Sequence, residues 1–154
     1  MGDSGTLSAA ARTVWAKYDR LTEDWLPLYQ HMIDSGEVAG KLWDGWLPGN
    51  VRGALSQHLG GPHVARRVFV WLAGIHDIGK AAPSFAEKAA PLLVKMAERG
   101  LEPLPGRNDE YGQHWTIGHQ VLYLWLQEAH GFEPATAEAF GCVLGGHHGN
   151  PPSA

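Results

Sequence analysis

Residues 71–80 read Trp-Leu-Ala-Gly-Ile-His-Asp-Ile-Gly-Lys and set an imidazole, a carboxylate and an ammonium close together at His76, Asp77 and Lys80. An ionised Asp among Leu, Ile and Ala is costly to bury unless its charge is compensated. A metal ion is the usual compensation, since imidazole and carboxylate are both good ligands and a carboxylate can bridge two ions. Gly74 and Gly79 remove side chains on either side, which lets backbone or ligand approach closely. A His-Asp dipeptide is common, so its weight depends on what else gathers around it.

Five of the nine histidines occupy positions that suit such a gathering. His31 lies within a helical pattern, His76 ends one, His114 begins one, and His147-His148 follows one. Ligands from separate helices converge on one cavity in this manner. A single histidine of this kind is ordinarily a satisfied core or capping residue; five of them with Asp77 favour a shared site. The His147-His148 pair is flanked by Gly145, Gly146 and Gly149, and glycine weakens a helix end without adding buried area. His58, His63 and His130 have polar or loop neighbours and read as solvated. The seven tryptophans could stack bases, but most sit at core spacing, which favours packing.

The elements that must position these residues read as helices. Leu7 to Tyr18 carries Ala10, Val14 and Tyr18 on one face, and Thr22-Glu23-Asp24 with Pro27 marks a turn before a second helix from Leu28 to Leu42. Pro48-Gly49-Asn50 breaks the chain ahead of a helix over 51–59, which Gly60-Gly61-Pro62 closes. Val64, Val68, Leu72 and Ile75 then define a helix from His63 to Ile75. Another helix is expected from Pro83 to about Gly100, a loop over Glu102–Asp109, a strong helix over 114–129, and a last one over 135–144. No strand or repeat is expected, so the fold class is all-α.

Composition sets the outer bounds. A chain of 154 residues with 44% hydrophobic and 18% charged residues fits one globular domain with a single substantial core. The net charge of −4 argues against a broad DNA-coating surface, although bound cations would reverse the field at a site. No apolar run approaches the roughly 20 residues that span a bilayer, and residues 1–5 read as a disordered start. One cysteine, Cys142, excludes an intrachain disulfide, fits a reducing cytoplasm, and reads as a core filler.

The order of a lone His, His-Asp, a further His and His-His resembles the HD superfamily of metal-dependent phosphohydrolases. Trp15-Ala16-Lys17, His31-x-x-Asp34, Val38-Ala39, the stretch from Leu72 to Lys80, Pro83-x-Phe85 and Gly145-Gly146-His147-His148-Gly149 make the likeness narrower. Together they are similar to the N-terminal HD nuclease domain of the CRISPR-associated nuclease-helicase of type I systems, from about Trp15 to Pro152. The resemblance implies an HD-domain helical bundle over residues 1–154, truncated at its C-terminal end, because the family draws a further aspartate ligand from a later helix. It implies His31, His76, Asp77, His114, His147 and His148 as metal ligands, with Asp77 the bridging carboxylate. Asp77 and Lys80 are the implied catalytic residues, Lys80 lying beside the scissile phosphate. His119 competes with His114 for the mid-chain position; His114 is preferred because Gly118 stands four residues after it, as the family's pattern requires. Asp34, one turn from His31, is expected to orient a ligand rather than bind metal.

A His-rich set with one bridging Asp favours two divalent transition metals (iron, manganese, nickel or cobalt), with magnesium as the hard-cation alternative. The implied activity is endonucleolytic phosphodiester hydrolysis of single-stranded DNA in CRISPR antiviral defence, in a cytoplasmic protein fused to a helicase and free of membrane. A crRNA-guided surveillance complex is the implied partner, reached through the full-length protein. Two other readings stay open: an HD phosphohydrolase acting on nucleotides, and a non-catalytic metal-binding module.

Overall fold

Apolar residues at helical spacing alternate with Pro and Gly breaks, and helices form between the breaks. The computed structural model describes residues 7–102 and 112–149. The expected disordered start and most of the expected Glu102–Asp109 loop lie outside the described residues. Seven α-helices occur among those residues: α1 (Leu28–Gly45), α2 (Gly49–His58), α3 (Pro62–Ile75), α4 (Pro83–Ala86), α5 (Ala90–Ala97), α6 (His114–His130) and α7 (Pro134–Gly145). Short 3₁₀ turns cover Ala11–Thr13, Ile78–Ala81 and Gly146–His148. The fold is mostly α, and no helix among the described residues is long and apolar enough to cross a membrane.

Two expectations need correction. The first concerns Leu7–Tyr18, which is not a helix. After the Ala11–Thr13 turn the chain extends into β1 (Trp15–Tyr18), which pairs antiparallel with β2 (Trp25–Pro27), and Tyr18 lies opposite Trp25. The turn between them is closed by Asp19, whose carboxylate accepts the Leu21 N–H at 2.8 Å while its own N–H donates to the Asp24 carbonyl at 2.9 Å. An Asx turn of this kind offers the backbone a partner that competes with helix. The helical spacing of Ala10, Val14 and Tyr18 was incidental, because Trp15 and Ala16 are buried in succession. The second concerns the helix expected from Pro83 to Gly100, which splits into α4 and α5. Pro91 is the cause: it lacks the N–H that a continuous helix needs and crowds the preceding turn, but it is tolerated near the start of α5.

Two apolar clusters hold these elements. One joins the hairpin to α1, α4 and α5 through Val14, Trp15, Leu28, Phe85, Leu92 and Met96. The other packs α6 on α7 through Leu122, Leu126, Ala137 and Leu144, with Trp71, Leu72, Ile75 and Ile78 against it. Each fully buried leucine, such as Leu92 or Leu144, contributes about 1.5–3 kcal/mol relative to an exposed one.

Two glycines set the spacing that the site depends on. A Cβ on Gly74 would lie 3.4 Å from the Met32 carbonyl, so α1 and α3 approach nearly backbone to backbone. Gly79 is buried against the first turn of α6, and a Cβ there would run into the His114 carbonyl and lie 2.6 Å from the Gly118 nitrogen. The first contact brings His31 toward the end of α3. The second brings His114 onto the same point.

Candidate metal centre

The apolar face of α3 runs out at Ile75. His76 follows with helical dihedrals, Asp77 departs to φ −101° and ψ 13°, and Ile78–Ala81 tightens into a 3₁₀ turn. The carboxylate of Asp77 is thereby turned inward, where the residue is 4% exposed. Its two oxygens face different partners. Oδ2 lies 2.9 Å from His31 Nε2, 3.3 Å from His76 Nε2 and 2.7 Å from Lys80 Nζ. Oδ1 lies 3.2 Å from His114 Nε2 and 3.4 Å from His147 Nε2. His148 completes the second group through an Nε2–Nε2 contact of 3.1 Å with His114.

Local structure fixes several of these rings. His76 donates Nδ1–H to the Ala73 carbonyl at 2.8 Å, and His147 does the same to Leu144 at 2.5 Å. Each bond spans three residues at a helix end and leaves Nε2 pointing to the site. His114 is held instead by packing: its ring meets Phe85 edge-on at 5.5 Å and Trp115 at 5.2 Å. Lys80 is fixed by the Ala16 carbonyl, to which Nζ donates at 3.3 Å, and by the face of Phe85 at 5.3 Å.

The charges are tuned accordingly. Burial alone would raise the pKa of Asp77, but hydrogen bonds from His114, His76 and Lys80 outweigh it and hold the carboxyl far below its ordinary range. The hydrogen bond to Asp77 raises the pKa of His76. Burial lowers the pKa of His31 and of His147, which favours the neutral form of each ring.

These residues fit metal ions. The donor atoms of His31, His76 and Asp77 lie within 4.8 Å of one another, as do those of His114, His147 and His148. His147 Nε2 is buried without a hydrogen-bond partner. An orphaned imidazole nitrogen in a buried site is costly unless something binds it, and its neutral lone pair suits a cation.

All of the sequence-predicted site residues, Lys80 included, therefore meet around Asp77. His119 does not join them; its Nε2 lies 3.1 Å from Glu138 Oε2. Asp34 departs from its expected role, since it is exposed and accepts a hydrogen bond from Gln30 Nε2 at 2.8 Å. His58, His63 and His130 are exposed. Sequence reasoning assigned no role to Phe85, Trp115 or the Ala16 carbonyl. Phe85 stood in the Pro-x-Phe motif and Trp115 beside His114, so adjacency was the available signal for both; a backbone acceptor leaves none.

A helical domain in which imidazoles from four places in the chain surround one buried His-Asp carboxylate defines an HD-type metal-dependent hydrolase. The chain belongs to the Cas3 HD domain family, whose model matches residues 15–154. It is 27% identical over 140 residues to the CRISPR-associated nuclease/helicase Cas3 of Streptococcus thermophilus, covering 82% of this chain and 14% of that protein. It is 28% identical over 152 residues to the CRISPR-associated endonuclease/helicase Cas3 of Thermus thermophilus, covering 97% of this chain and 16% of that protein. Among solved structures, a CRISPR-associated protein superposes with a TM-score of 0.81 at 32% identity, over 96% of this chain and 17% of that one. T. fusca Cas3 superposes with a TM-score of 0.75 at 25% identity, over 92% and 15%. The chain thus spans less than a fifth of the length of each of these relatives.

Proposed function

We propose that this domain is an endonuclease that hydrolyses phosphodiester bonds of single-stranded DNA in CRISPR interference, in the cytoplasm and alongside a helicase, with a crRNA-guided surveillance complex as the recruiting partner. The observation that carries the chemistry is the division of Asp77, with Oδ2 facing His31 and His76 and Oδ1 facing His114 and His147. A carboxylate so divided suits one divalent cation on each oxygen, the first held also by His31 and His76, the second by His114, His147 and His148. Two such ions would polarise the phosphoryl group and activate water. Nitrogen-rich ligation favours manganese, iron, nickel or cobalt over magnesium.

The protein's own groups supply the rest. Lys80 places an ammonium at Asp77 Oδ2 and adds a positive charge where a phosphate oxygen would dock. The Ala16 carbonyl and the Phe85 ring restrict that ammonium to one direction. His148 is exposed while Asp77 and His114 are buried, so the site opens on the His148 side. Access from one side suits a strand laid across the site better than a nucleotide enclosed in a closed pocket.

The test uses the full-length protein loaded with manganese or cobalt and offered single-stranded oligonucleotides and, separately, mononucleotides. Internal cleavage of the oligonucleotide is expected, falling at least about a hundredfold in Asp77→Ala together with metal content. Phosphate release from mononucleotides alone would make the domain a nucleotide hydrolase. Metal binding without hydrolysis of either substrate would make it a non-catalytic module.

A further inference from the structure

A second set of donors lies outside the Asp77 cluster. His119 projects from α6, and Glu138 and Cys142, one helical turn apart, project from α7. His119 Nε2 lies 3.1 Å from Glu138 Oε2, Cys142 Sγ lies 3.5 Å from Glu138 Oε1, and the three donor atoms fall within 4.8 Å of one another. We propose that His119, Glu138 and Cys142 form a separate site for a thiophilic divalent cation of the zinc type, which fastens α6 to α7. The proposal does not depend on the nuclease reading.

The chemistry and the packing both support this site. Imidazole, carboxylate and thiolate are three of the donor types that tetrahedral zinc takes, and neighbouring donors around such an ion stand about 3.3–3.6 Å apart. The observed separations already approach that spacing, and they join donors from two helices rather than one. His119 is 8% exposed, and its ring lies directly against Gly141; a Cβ there would collide with the ring. Gly141 therefore makes room for an imidazole turned toward Glu138. The side chain of Glu138 is 38% exposed, so a fourth position remains open to water.

Charge also balances. In the metal-free protein burial and the neighbouring Glu138 keep the Cys142 thiol protonated, and it donates to the carboxylate. Binding displaces two protons from their partners. The S–H bond breaks and its proton goes to solvent. The His119 Nε2–H proton is lost while Nδ1 takes one up, so that the ring stays neutral, and metal–sulfur and metal–nitrogen bonds form. The thiolate and the carboxylate then match the two charges of the cation. The Asp77 cluster offers no sulfur donor, so the two centres differ in the metals they prefer. The location gives the site a consequence, since α6 begins with His114 and α7 leads into His147-His148. A cation joining these helices would stiffen the support of three imidazoles of the main centre.

Cys142 is the sole cysteine of the chain, which makes thiolate ligation directly visible. The experiment titrates the 154-residue chain with Co²⁺ and reads the thiolate-to-cobalt charge-transfer band in the near ultraviolet, alongside the alkylation rate of Cys142. The band is expected in the unmodified chain and in Asp77→Ala, with alkylation slowed at least about tenfold by Co²⁺. It should vanish in Cys142→Ser, and half-saturation should need at least about tenfold more Co²⁺ in Glu138→Gln. Absence of the band at Co²⁺ concentrations that fill the histidine centre, with alkylation unchanged, would overturn the proposal and leave a plain hydrogen-bonded network. Loss of the band in a folded Asp77→Ala variant, or an unchanged affinity in Glu138→Gln, would overturn it as well.

Discussion

Replacing Gly79 by alanine adds one methyl group at the tightest junction of the domain. The new Cβ would overlap the His114 carbonyl and sit 2.6 Å from the Gly118 nitrogen. Carbon prefers roughly 3.5 Å or more from such atoms, so the Ile78–Ala81 turn and α6 must separate by about 1.5 Å or more to clear the His114 carbonyl. Backbone lies on both sides, and no flexible side chain can yield. Overpacking of this kind costs about 3 kcal/mol, at the upper end of the usual range. For a chain of this size that corresponds to a fall of about 6–12 °C in Tm. The displaced turn carries Lys80 and the displaced helix carries His114, so metal affinity should also fall. The assay is calorimetry with and without added manganese, using Gly53→Ala as the control. Gly53 lies in α2 with nothing near its Cβ position, and alanine there should be neutral or stabilise by up to about 1 kcal/mol. A Gly79→Ala protein melting within about 2 °C of the parent would refute the reasoning.

Other outcomes follow from the same geometry. Phe85→Ala removes a ring that packs on Trp15 at 4.4 Å and touches His114 and Lys80, so it should cost about 3–5 kcal/mol in chemical denaturation. Metal affinity should decline as the pH falls through the raised pKa of His76, because that ring is protonated below it and the ion must displace the proton. Isothermal titration at pH 8 and pH 6 should show at least about a tenfold difference, and equal affinities would mean that His76 is not a ligand. Asp77 offers the only carboxylate among the described residues of the main site, and its single negative charge cannot balance two divalent ions. The 154-residue chain is therefore expected to hold metal weakly and to cut single-stranded DNA poorly. Elemental analysis and an oligonucleotide assay on the 154-residue chain check both, and two tightly held ions with strong cleavage would refute the charge argument.

The site was legible in the sequence where chemistry and punctuation coincide. His76 and Asp77 are adjacent and bracketed by glycines, and His147-His148 is set among three more, so types and spacing alone marked them. The helices that bury a continuous stripe were legible for the same reason, α3 and α6 above all. The hairpin was not, because β1 owes its conformation to pairing with β2 across the Asp19 turn rather than to its own pattern. Nor was the contact between Gly79 and α6, since close approach across 35 positions leaves no local mark beyond the glycine itself. Cys142 read as an apolar filler because its run is apolar; its partners lie one turn back on α7 and across on α6.

His76 and His147 take their orientation from carbonyls three residues back, at Ala73 and Leu144. Those bonds need only a helix end, so both rings are aimed as soon as α3 and α7 form, before the domain has assembled. His31 and His114 are aimed by contacts that exist only once distant elements have docked. A metal arriving during folding would thus meet the ready imidazoles of His76 and His147 while those of His31 and His114 are still unplaced. Its capture would then favour the docking of α1 and α6, coupling metal binding to folding through the two rings whose aim is not local.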